Sequence, residues 1–272
     1  MEAVWSIVTY IFIFLYGLLV GSFLNVVIFR VPKKESVAKK RSHCMTCGYT
    51  LAWFDLIPLF SWLALRGKCR KCGAKISAQY PIIEGLNALL CVLIFMSAYG
   101  LNSYLMFEEF KPETLLYCFM TSALIALSVI DLRTFIIPPG FNIFIAVLGV
   151  INIIYRLVFL GLDEAGLAGF IIGAFAVSVP LGIIYYLSDG RAIGGGDIKL
   201  MAAAGLLIGW KLILFALFIG CLVGSVIHIA RMKLTGAEHK LAMGPYLSVG
   251  IYTAVTVGNR FLDWYLGLFA RK

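Results

Sequence analysis

Charged residues are scarce in this sequence. Only 14% of its 272 residues are charged, and Asp and Glu together number 14. A soluble globular domain has about a quarter of its residues charged, so the scarcity argues against a chain that folds in water. Apolar residues make up 61% of the chain, and the mean hydropathy is +0.95. Lipid is therefore the solvent expected around most of this protein.

Other features are also missing. The sequence contains no internal repeat and no low-complexity segment. The glycine run Gly194–Gly196 lacks the strand–turn–helix setting of a soluble Rossmann fingerprint. The N-terminal apolar stretch lacks the basic n-region and the small-residue cleavage site of a signal peptide, so we interpret it as a membrane span. We expect no nucleic-acid partner.

Apolar stretches long enough to cross a bilayer, about 20 residues each, recur along the chain. They cover residues 3–29, 82–107, 114–130, 135–160, 165–187, 198–230 and 241–262. The stretch 198–230 is too long for one span and is interrupted at Trp210 and Lys211, which divides it into a short span and a longer one. We predict an all-α polytopic membrane protein with about eight transmembrane helices.

Charge is concentrated in one segment. Residues 30–75 hold eleven Lys or Arg and two acidic residues, a net charge of +9. The positive-inside rule places this segment in the cytoplasm. It places the acidic loops outside, and these contain Glu108, Glu109, Glu113, Asp163 and Glu164. Several basic residues then fall on the cytoplasmic side: Arg133, Arg191, Lys199, Arg231, Lys233 and Lys240. A simpler interpretation is that the basic segment only sets the topology.

The polar insert at about residues 30–80 contains four cysteines in two CxxC pairs. Cys44 and Cys47 form the first pair, Cys69 and Cys72 form the second, and glycine follows each pair directly. A CxxC turn lets two thiolates face one ion, and the glycine permits the backbone to curl beneath them. The repeated pattern predicts a zinc-ribbon-like insert with a closed, structural Zn²⁺ site, which would stabilise a segment too small for its own core.

Disulfides and redox-active thiols are the alternatives for these cysteines. Disulfides are disfavoured in a loop that the charge rule places in the cytosol. His43 is a substitute ligand only if one thiolate is not used. Cys91, Cys118 and Cys221 lie in apolar stretches, where a free cysteine is usually a small hydrophobic residue.

Two aspartates occupy predicted span ends instead of loops. Asp131 follows the stretch that ends at Ile130, and Asp197 follows three glycines just before a short apolar helix. Ionisable residues at membrane depth are costly and usually functional. Two neighbouring carboxylates share one proton, so one can accept a proton from water while the other donates to a peptide carbonyl. The pair therefore predicts an aspartic protease.

Each aspartate also has a simpler interpretation. Asp131 is suitable as an interfacial partner for Arg133 or Lys199, and Asp197 as an N-terminal helix cap. We expect the glycine run to admit an extended substrate strand and to free Asp197 from helical geometry.

The motifs resemble those of the type IV prepilin peptidases, a family of GxGD aspartic proteases. The similar segments are GLLVGSFLNVVIFRVP (17–32), IPLFSWLALRGKCRKC (57–72), YPIIE (80–84), IDLRTFIIP (130–138), GGGDIKL (194–200) and MGPYL (243–247). Together they cover nearly the whole chain.

The resemblance implies a bifunctional enzyme of the bacterial cytoplasmic membrane. Such enzymes remove the leader of type IV prepilins or pseudopilins at the cytoplasmic face, then methylate the new N-terminal residue with S-adenosylmethionine. Asp131 and Asp197 correspond to the catalytic pair. The four cysteines of the insert correspond to zinc ligands in a region associated with methyl transfer. Many relatives have an aspartate where Pro139 stands here, a difference expected to alter the adjacent loop without abolishing proteolysis.

Glu84 is our candidate for binding the methyl donor, because its carboxylate lies at the predicted membrane edge and suits a ribose hydroxyl or an amine. Pairing with the basic insert is the alternative. On this interpretation residues 1–110 form the methyltransferase-associated region, and residues 111–272 form the peptidase domain.

The sequence disfavours two other functions. One is a peptidase without methyl transfer, which the four-cysteine insert disfavours. The other is a transporter or channel with a zinc-bound plug, which the nearly charge-free span interiors disfavour; His228 is their one interior ionisable exception.

Overall fold

The computed structural model describes residues 2–39, 41–101, 110–235 and 241–270. Glu108, Glu109 and Lys240 lie outside the described residues, as does the end of the predicted stretch 82–107. The described residues form helices and turns, with only two isolated β-bridges and no strand. This confirms the predicted all-α class.

Eleven α-helices follow one another in the described chain. They are α1 (Glu2–Arg30), α2 (Phe60–Ala64), α3 (Gln79–Tyr99), α4 (Pro112–Thr134), α5 (Pro139–Phe159), α6 (Glu164–Ala176), α7 (Ser178–Leu187), α8 (Gly195–Ile208), α9 (Trp210–Thr235), α10 (Gly244–Thr253) and α11 (Asn259–Ala270). A 3₁₀ turn at Trp53–Leu56 precedes α2, and a π turn at Ala254–Gly258 joins α10 to α11.

Six helical segments among the described residues are long and apolar enough to cross a membrane. They are Val4–Arg30, Gln79–Tyr99, Pro112–Thr134, Pro139–Phe159, Glu164–Leu187 and Trp210–Leu234. The other two predicted spans correspond to α8, which has only 14 residues, and to the C-terminal helices that the π turn divides. The count of eight spans therefore stays a prediction.

The chain divides into two compact units, Met1–Ala126 and Leu127–Lys272, with the boundary inside α4. In the first unit α1 packs closely along α3. A Cβ added at Gly17 would lie 2.6 Å from the Cα of Ala88, and the Asn87 side-chain amide donates a 2.7 Å hydrogen bond to the Gly17 carbonyl. Small residues and interhelical hydrogen bonds replace the hydrophobic driving force that lipid does not provide.

The short helix α8 lies at the centre of the second unit. Leu200, Met201, Ala204 and Leu207 on this helix have no exposed surface. Helix α6 approaches so closely that a Cβ at Gly205 would overlap the Gly173 backbone. Neighbouring helices therefore cover the face of α8 that carries these side chains, and Asp197 in its first turn is buried as well.

Candidate active site and cysteine cluster

Asp131 lies in the last turn of α4, and only 4% of its surface is exposed. The backbone N–H of Gly244 donates a 3.0 Å hydrogen bond to Asp131 Oδ2. Gly244 is the first residue of α10, so the positive end of that helix faces the carboxylate. A Cβ at Gly244 would lie 2.7 Å from the same oxygen, so only glycine allows this approach. The buried carboxylate thus has a backbone hydrogen-bond donor directed at it.

Two serines hold α10 against α4. The Ser248 hydroxyl donates to the Gly244 carbonyl at 2.7 Å, and the Ser128 hydroxyl donates to the Ser248 oxygen at 3.0 Å. Ser128 lies one helical turn before Asp131. The carboxylate and the helix end that supports it are thus joined by a short chain of hydrogen bonds.

Asp197 is the third residue of α8, with 8% of its surface exposed. Gly194 is the N-cap, and the cap makes no side-chain hydrogen bond, so Asp197 is not the predicted cap. The expectation that glycines free Asp197 from helical geometry is wrong, because Gly195, Gly196 and Asp197 are all helical. Instead, the glycines make room for close packing: a Cβ at Gly194 would lie 2.8 Å from Asp197 Oδ2, and one at Gly196 would lie 3.0 Å from Ile137 Cβ.

The structure brings the two aspartates together within the second unit. Burial raises the pKa of the Asp197 carboxyl to about 6, and the nearby negative charge of Asp131 acts in the same direction. The hydrogen bond between Gly194 and Asp197 opposes this rise. The two carboxyls therefore have different surroundings: Asp131 accepts from the N–H at a helix start, whereas Asp197 has a raised pKa that suits a proton carrier.

Asn142 is a further polar residue at this site that the sequence reasoning missed. It is buried in the first turn of α5, and its side-chain N–H donates to the Gly196 carbonyl at 3.4 Å. The sequence feature that could have indicated this role is an asparagine within an apolar span. The unusual Pro139 begins this helix, with Pro138 as the N-cap. Proline is favoured at the first helical position, so the departure from the family pattern leaves the helix start intact.

The four insert cysteines form one cluster in the first unit. Their Sγ atoms all lie within 4.8 Å of one another, and the group could hold a metal ion such as zinc. Cys44 Sγ and Cys72 Sγ are 3.9 Å apart, close to the roughly 3.8 Å edge of a tetrahedron with metal–sulfur bonds of about 2.3 Å. His43 is not a member of this group.

The two CxxC turns have nearly identical backbones. In the first, the Gly48 N–H donates to the Cys44 carbonyl at 2.9 Å; in the second, the Gly73 N–H donates to the Cys69 carbonyl at 2.9 Å. Gly48 and Gly73 have φ values of +69° and +70°, a conformation that glycine adopts without strain. This explains why a glycine follows each pair.

Asp55 links the two halves of the insert, a role that sequence reasoning did not assign. Its carboxylate accepts from Arg70 Nε at 2.8 Å, from the Ala52 N–H at 3.2 Å and from the Tyr49 hydroxyl at 3.3 Å. Tyr49 follows the first CxxC turn and Arg70 lies within the second. The signal for such a role was that Asp55 is one of only two acidic residues in a strongly basic segment.

Glu84 is buried in the second turn of α3. Its Oε2 accepts a 2.6 Å hydrogen bond from the Leu59 N–H. The insert therefore meets this oxygen with a backbone amide, whereas the alternative considered from the sequence was pairing with a basic side chain. Glu84 also borders a cavity of about 560 Å³ within the first unit. Residues from α1, α3 and the insert line this cavity, including Ser22, Asn25, Phe29, Tyr80, Trp62 and Cys69.

Known proteins match nearly the whole chain. The family model "Bacterial Peptidase A24 N-terminal domain" matches residues 15–98, and "Type IV leader peptidase family" matches residues 118–229. The curated prepilin leader peptidase/N-methyltransferase of Aeromonas hydrophila is 32% identical over 94% of this chain and 93% of its own length. The chain belongs to the type IV leader peptidase family.

Other members of this family give similar matches. The Bacillus subtilis prepilin leader peptidase/N-methyltransferase is 32% identical over 93% of this chain and 96% of its own length. The Myxococcus xanthus protein of the same name is 36% identical over 83% of this chain, which spans 64% of that relative. No solved structure matches the chain. The leader peptidase match contains both Asp131 and Asp197.

We predict that Asp131→Asn will lower the pKa of Asp197 below about 6, because it removes the negative charge that adds to the effect of burial. Carboxyl ¹³C NMR of aspartate-labelled protein, followed over pH, measures this value. Asp189→Asn is the matched control, because Asp189 lies in the same unit with an exposed side chain paired to Arg191. An unchanged Asp197 titration in Asp131→Asn would contradict electrostatic coupling of the pair.

Proposed function

We propose that this chain is a bifunctional membrane enzyme. It removes the leader peptide of type IV prepilins or pseudopilins at the cytoplasmic membrane face and methylates the new N-terminal residue. The observation that carries the proposal is the buried Asp131–Asp197 pair in the unit that matches the leader peptidase family. The curated relatives bear both activities in their names.

The unequal environments of the two aspartates support distinct roles in proteolysis. Asp131, which accepts from the Gly244 N–H, is suited to remove a proton from the attacking water. Asp197, with a pKa of about 6, is suited to donate its proton to the scissile carbonyl oxygen. Water then adds to the carbonyl carbon to give a tetrahedral diol. Asp131 then gives the proton that it took from water to the amide nitrogen, and Asp197 takes a proton back from one diol hydroxyl. The carbon–nitrogen bond breaks, and the leader leaves with a new carboxyl terminus.

The four-cysteine cluster is the proposed structural zinc site. Four thiolates complete a tetrahedral shell and leave no open coordination position, so the ion organises the insert and takes no part in chemistry. Binding of such an ion is coupled to folding and can stabilise a small domain by about 10 kcal/mol.

S-adenosylmethionine is the proposed methyl donor, and it would supply an activated methyl group when bound. The cavity beside Glu84 fits a ligand of this polarity. The Asn25 Oδ1 is buried there and accepts no hydrogen bond from the described residues, and Glu84 offers a carboxylate to a hydroxyl or an amine. Phe29 and Tyr80 stack on each other at 5.5 Å in its wall.

The loop charges support the cellular arrangement that we propose. The enzyme lies in the bacterial cytoplasmic membrane, with the insert and both aspartates at the cytoplasmic side. Residues 1–110 serve methyl transfer, and residues 111–272 serve proteolysis. Cleavage must come before methyl transfer, because it exposes the amine that is modified.

Asp131→Asn and Asp197→Asn should each reduce prepilin cleavage by about 10²–10⁴-fold, because either change removes one half of the acid–base pair. Mass spectrometry of a co-expressed prepilin measures the cleaved fraction. Asp189→Asn is the control for a surface aspartate in the same unit and should cleave normally. Normal trimming by either site variant would refute the protease mechanism.

Cys69→Ser should lower the zinc content from about one ion per chain, because three thiolates bind more weakly than four. We expect methylation to fall before cleavage does. Metal analysis and the N-terminal mass of the prepilin report the two effects, and Cys221→Ser is the control because Cys221 lies outside the cluster. Equal loss of both activities would instead assign the insert to support of the whole enzyme.

Glu84→Gln should weaken S-adenosylmethionine binding about tenfold or more while leaving cleavage intact, because glutamine can still accept from the Leu59 N–H but carries no charge. Equilibrium dialysis of radiolabelled S-adenosylmethionine against the full-length protein measures the affinity directly. Glu164→Gln, on an exposed helix start in the other unit, is the control. Unchanged affinity in Glu84→Gln would leave Glu84 with its structural role alone.

A further inference from the structure

The insert exposes a concentrated apolar surface on the two short helical turns that precede the second CxxC pair. Trp53 is 77% exposed, and Phe60 and Leu63 are each 55% exposed. Three neighbours add to this surface: Phe54, Leu56 and Ile57. We call these six side chains the apolar face of the insert. Neither helical turn buries any of its own residues.

Such a surface needs a partner. Single exposed apolar residues are ordinary, but six large ones within eleven residues are a concentration of the kind that marks an interaction surface. The insert is also small, and its two CxxC turns and Asp55 hold it together. Most of the surface of Trp53, Phe60 and Leu63 therefore remains exposed to meet something outside the folded chain.

A hydrogen bond from a residue with a strained backbone conformation ties the apolar face to a membrane span. Leu59, in the middle of the face, has a φ of +61°, which is unfavourable for a residue with a Cβ. Its N–H donates to Glu84 Oε2 at 2.6 Å. Glu84 lies five residues after Gln79, the first residue of α3, and so about 7.5 Å along that helix. The face is thus held beside the second turn of the span.

This attachment determines the depth of the apolar face. Helix α3 has 21 residues and a length of about 32 Å, close to the 30 Å hydrocarbon thickness of a bilayer. With α3 centred in the bilayer, Glu84 therefore lies about 6 Å below the boundary between headgroups and acyl chains, within the roughly 5–10 Å depth that interfacial apolar faces reach. Tryptophan and other aromatic side chains are favoured at this boundary.

Charge on the insert favours one kind of lipid. Four exposed basic residues follow the apolar face closely in sequence: Arg66, Lys68, Arg70 and Lys71. Arg70 stacks over the ring of Phe54, at 5.0 Å from its centroid, and so places this basic segment directly beside the face. Since Arg70 is paired with Asp55, the charge offered to lipid comes from Arg66, Lys68 and Lys71. Basic residues near a membrane surface are attracted to anionic headgroups.

We propose that the apolar face of the insert docks into the headgroup–acyl boundary of the bilayer, with the adjacent basic residues on anionic phospholipid headgroups. The zinc-site insert is then anchored at three places: the end of α1, the start of α3 and this face. The proposal is independent of the two enzymatic activities, because it rests on exposure, depth and charge.

Tryptophan quenching in nanodiscs tests the proposal on the full-length protein. The difference in emission between wild type and Trp53→Phe isolates Trp53 from the other four tryptophans. Lipids brominated near the headgroup should quench most of this difference emission, and iodide in the water should quench little of it. Discs of phosphatidylcholine with phosphatidylglycerol should give stronger lipid quenching than discs of phosphatidylcholine alone.

Trp62→Phe is the matched control, because Trp62 lies on α2 but faces inward. Its Nε1 donates to the Ile76 carbonyl at 3.2 Å, and its ring contacts Gly67. The Trp62 difference emission should resist brominated lipids. Zinc content equal to that of wild type shows that each variant keeps its insert folded.

Three results would overturn the proposal. Strong iodide quenching of Trp53 without lipid quenching would place the face in water. Protection from iodide only after prepilin is added would make the substrate its partner, and protection only in discs with two copies would make it an interface between copies. Equal quenching in the two lipid mixtures would remove the headgroup part of the proposal.

Discussion

The second unit depends on burying two carboxyl groups while giving each a backbone hydrogen-bond donor. Water normally stabilises a carboxylate, and burial without compensation is costly. Here the Gly244 N–H and the start of α10 supply that stabilisation to Asp131, and the serine contacts keep α10 in place. Asp197 has a donor in Gly194, but burial and the neighbouring charge of Asp131 still raise its pKa to about 6. The two carboxyl groups thus meet different backbone amides, and this gives them the different surroundings that an acid–base pair requires.

Close packing of backbone explains the glycines around this pair. At Gly194 and Gly244 a side chain would collide with the carboxylate of Asp197 or Asp131, and at Gly196 it would crowd Ile137. The glycines therefore set how tightly the protein encloses the two carboxylates. This differs from the flexible, non-helical role that the glycine run suggested in the sequence.

Several features could be predicted from the sequence because each depends on a local pattern. Apolar stretches of span length identified the membrane helices, and the spacing of CxxCG identified the cysteine cluster, since one short turn places two thiols. Other features required tertiary structure. The roles of Asp55, Asn142 and Gly244 depend on residues up to 113 positions away, and no local pattern reports such contacts. Two predicted spans correspond to α8 and to α10–α11 instead of to single long helices. Hydropathy measures composition, whereas the helix break at Gly209 and the π turn are backbone features.

Glu84 contacts both the insert and the cavity of the first unit. One of its oxygens accepts from Leu59 and holds the strained turn of the insert against α3. The same side chain borders the cavity that the insert closes. A residue with both contacts can transmit the position of the insert to the shape of the cavity. Because the cysteine cluster sets the insert fold and Glu84 sets its attachment, a ligand in the cavity, which Cys69 also lines, would depend on the metal site.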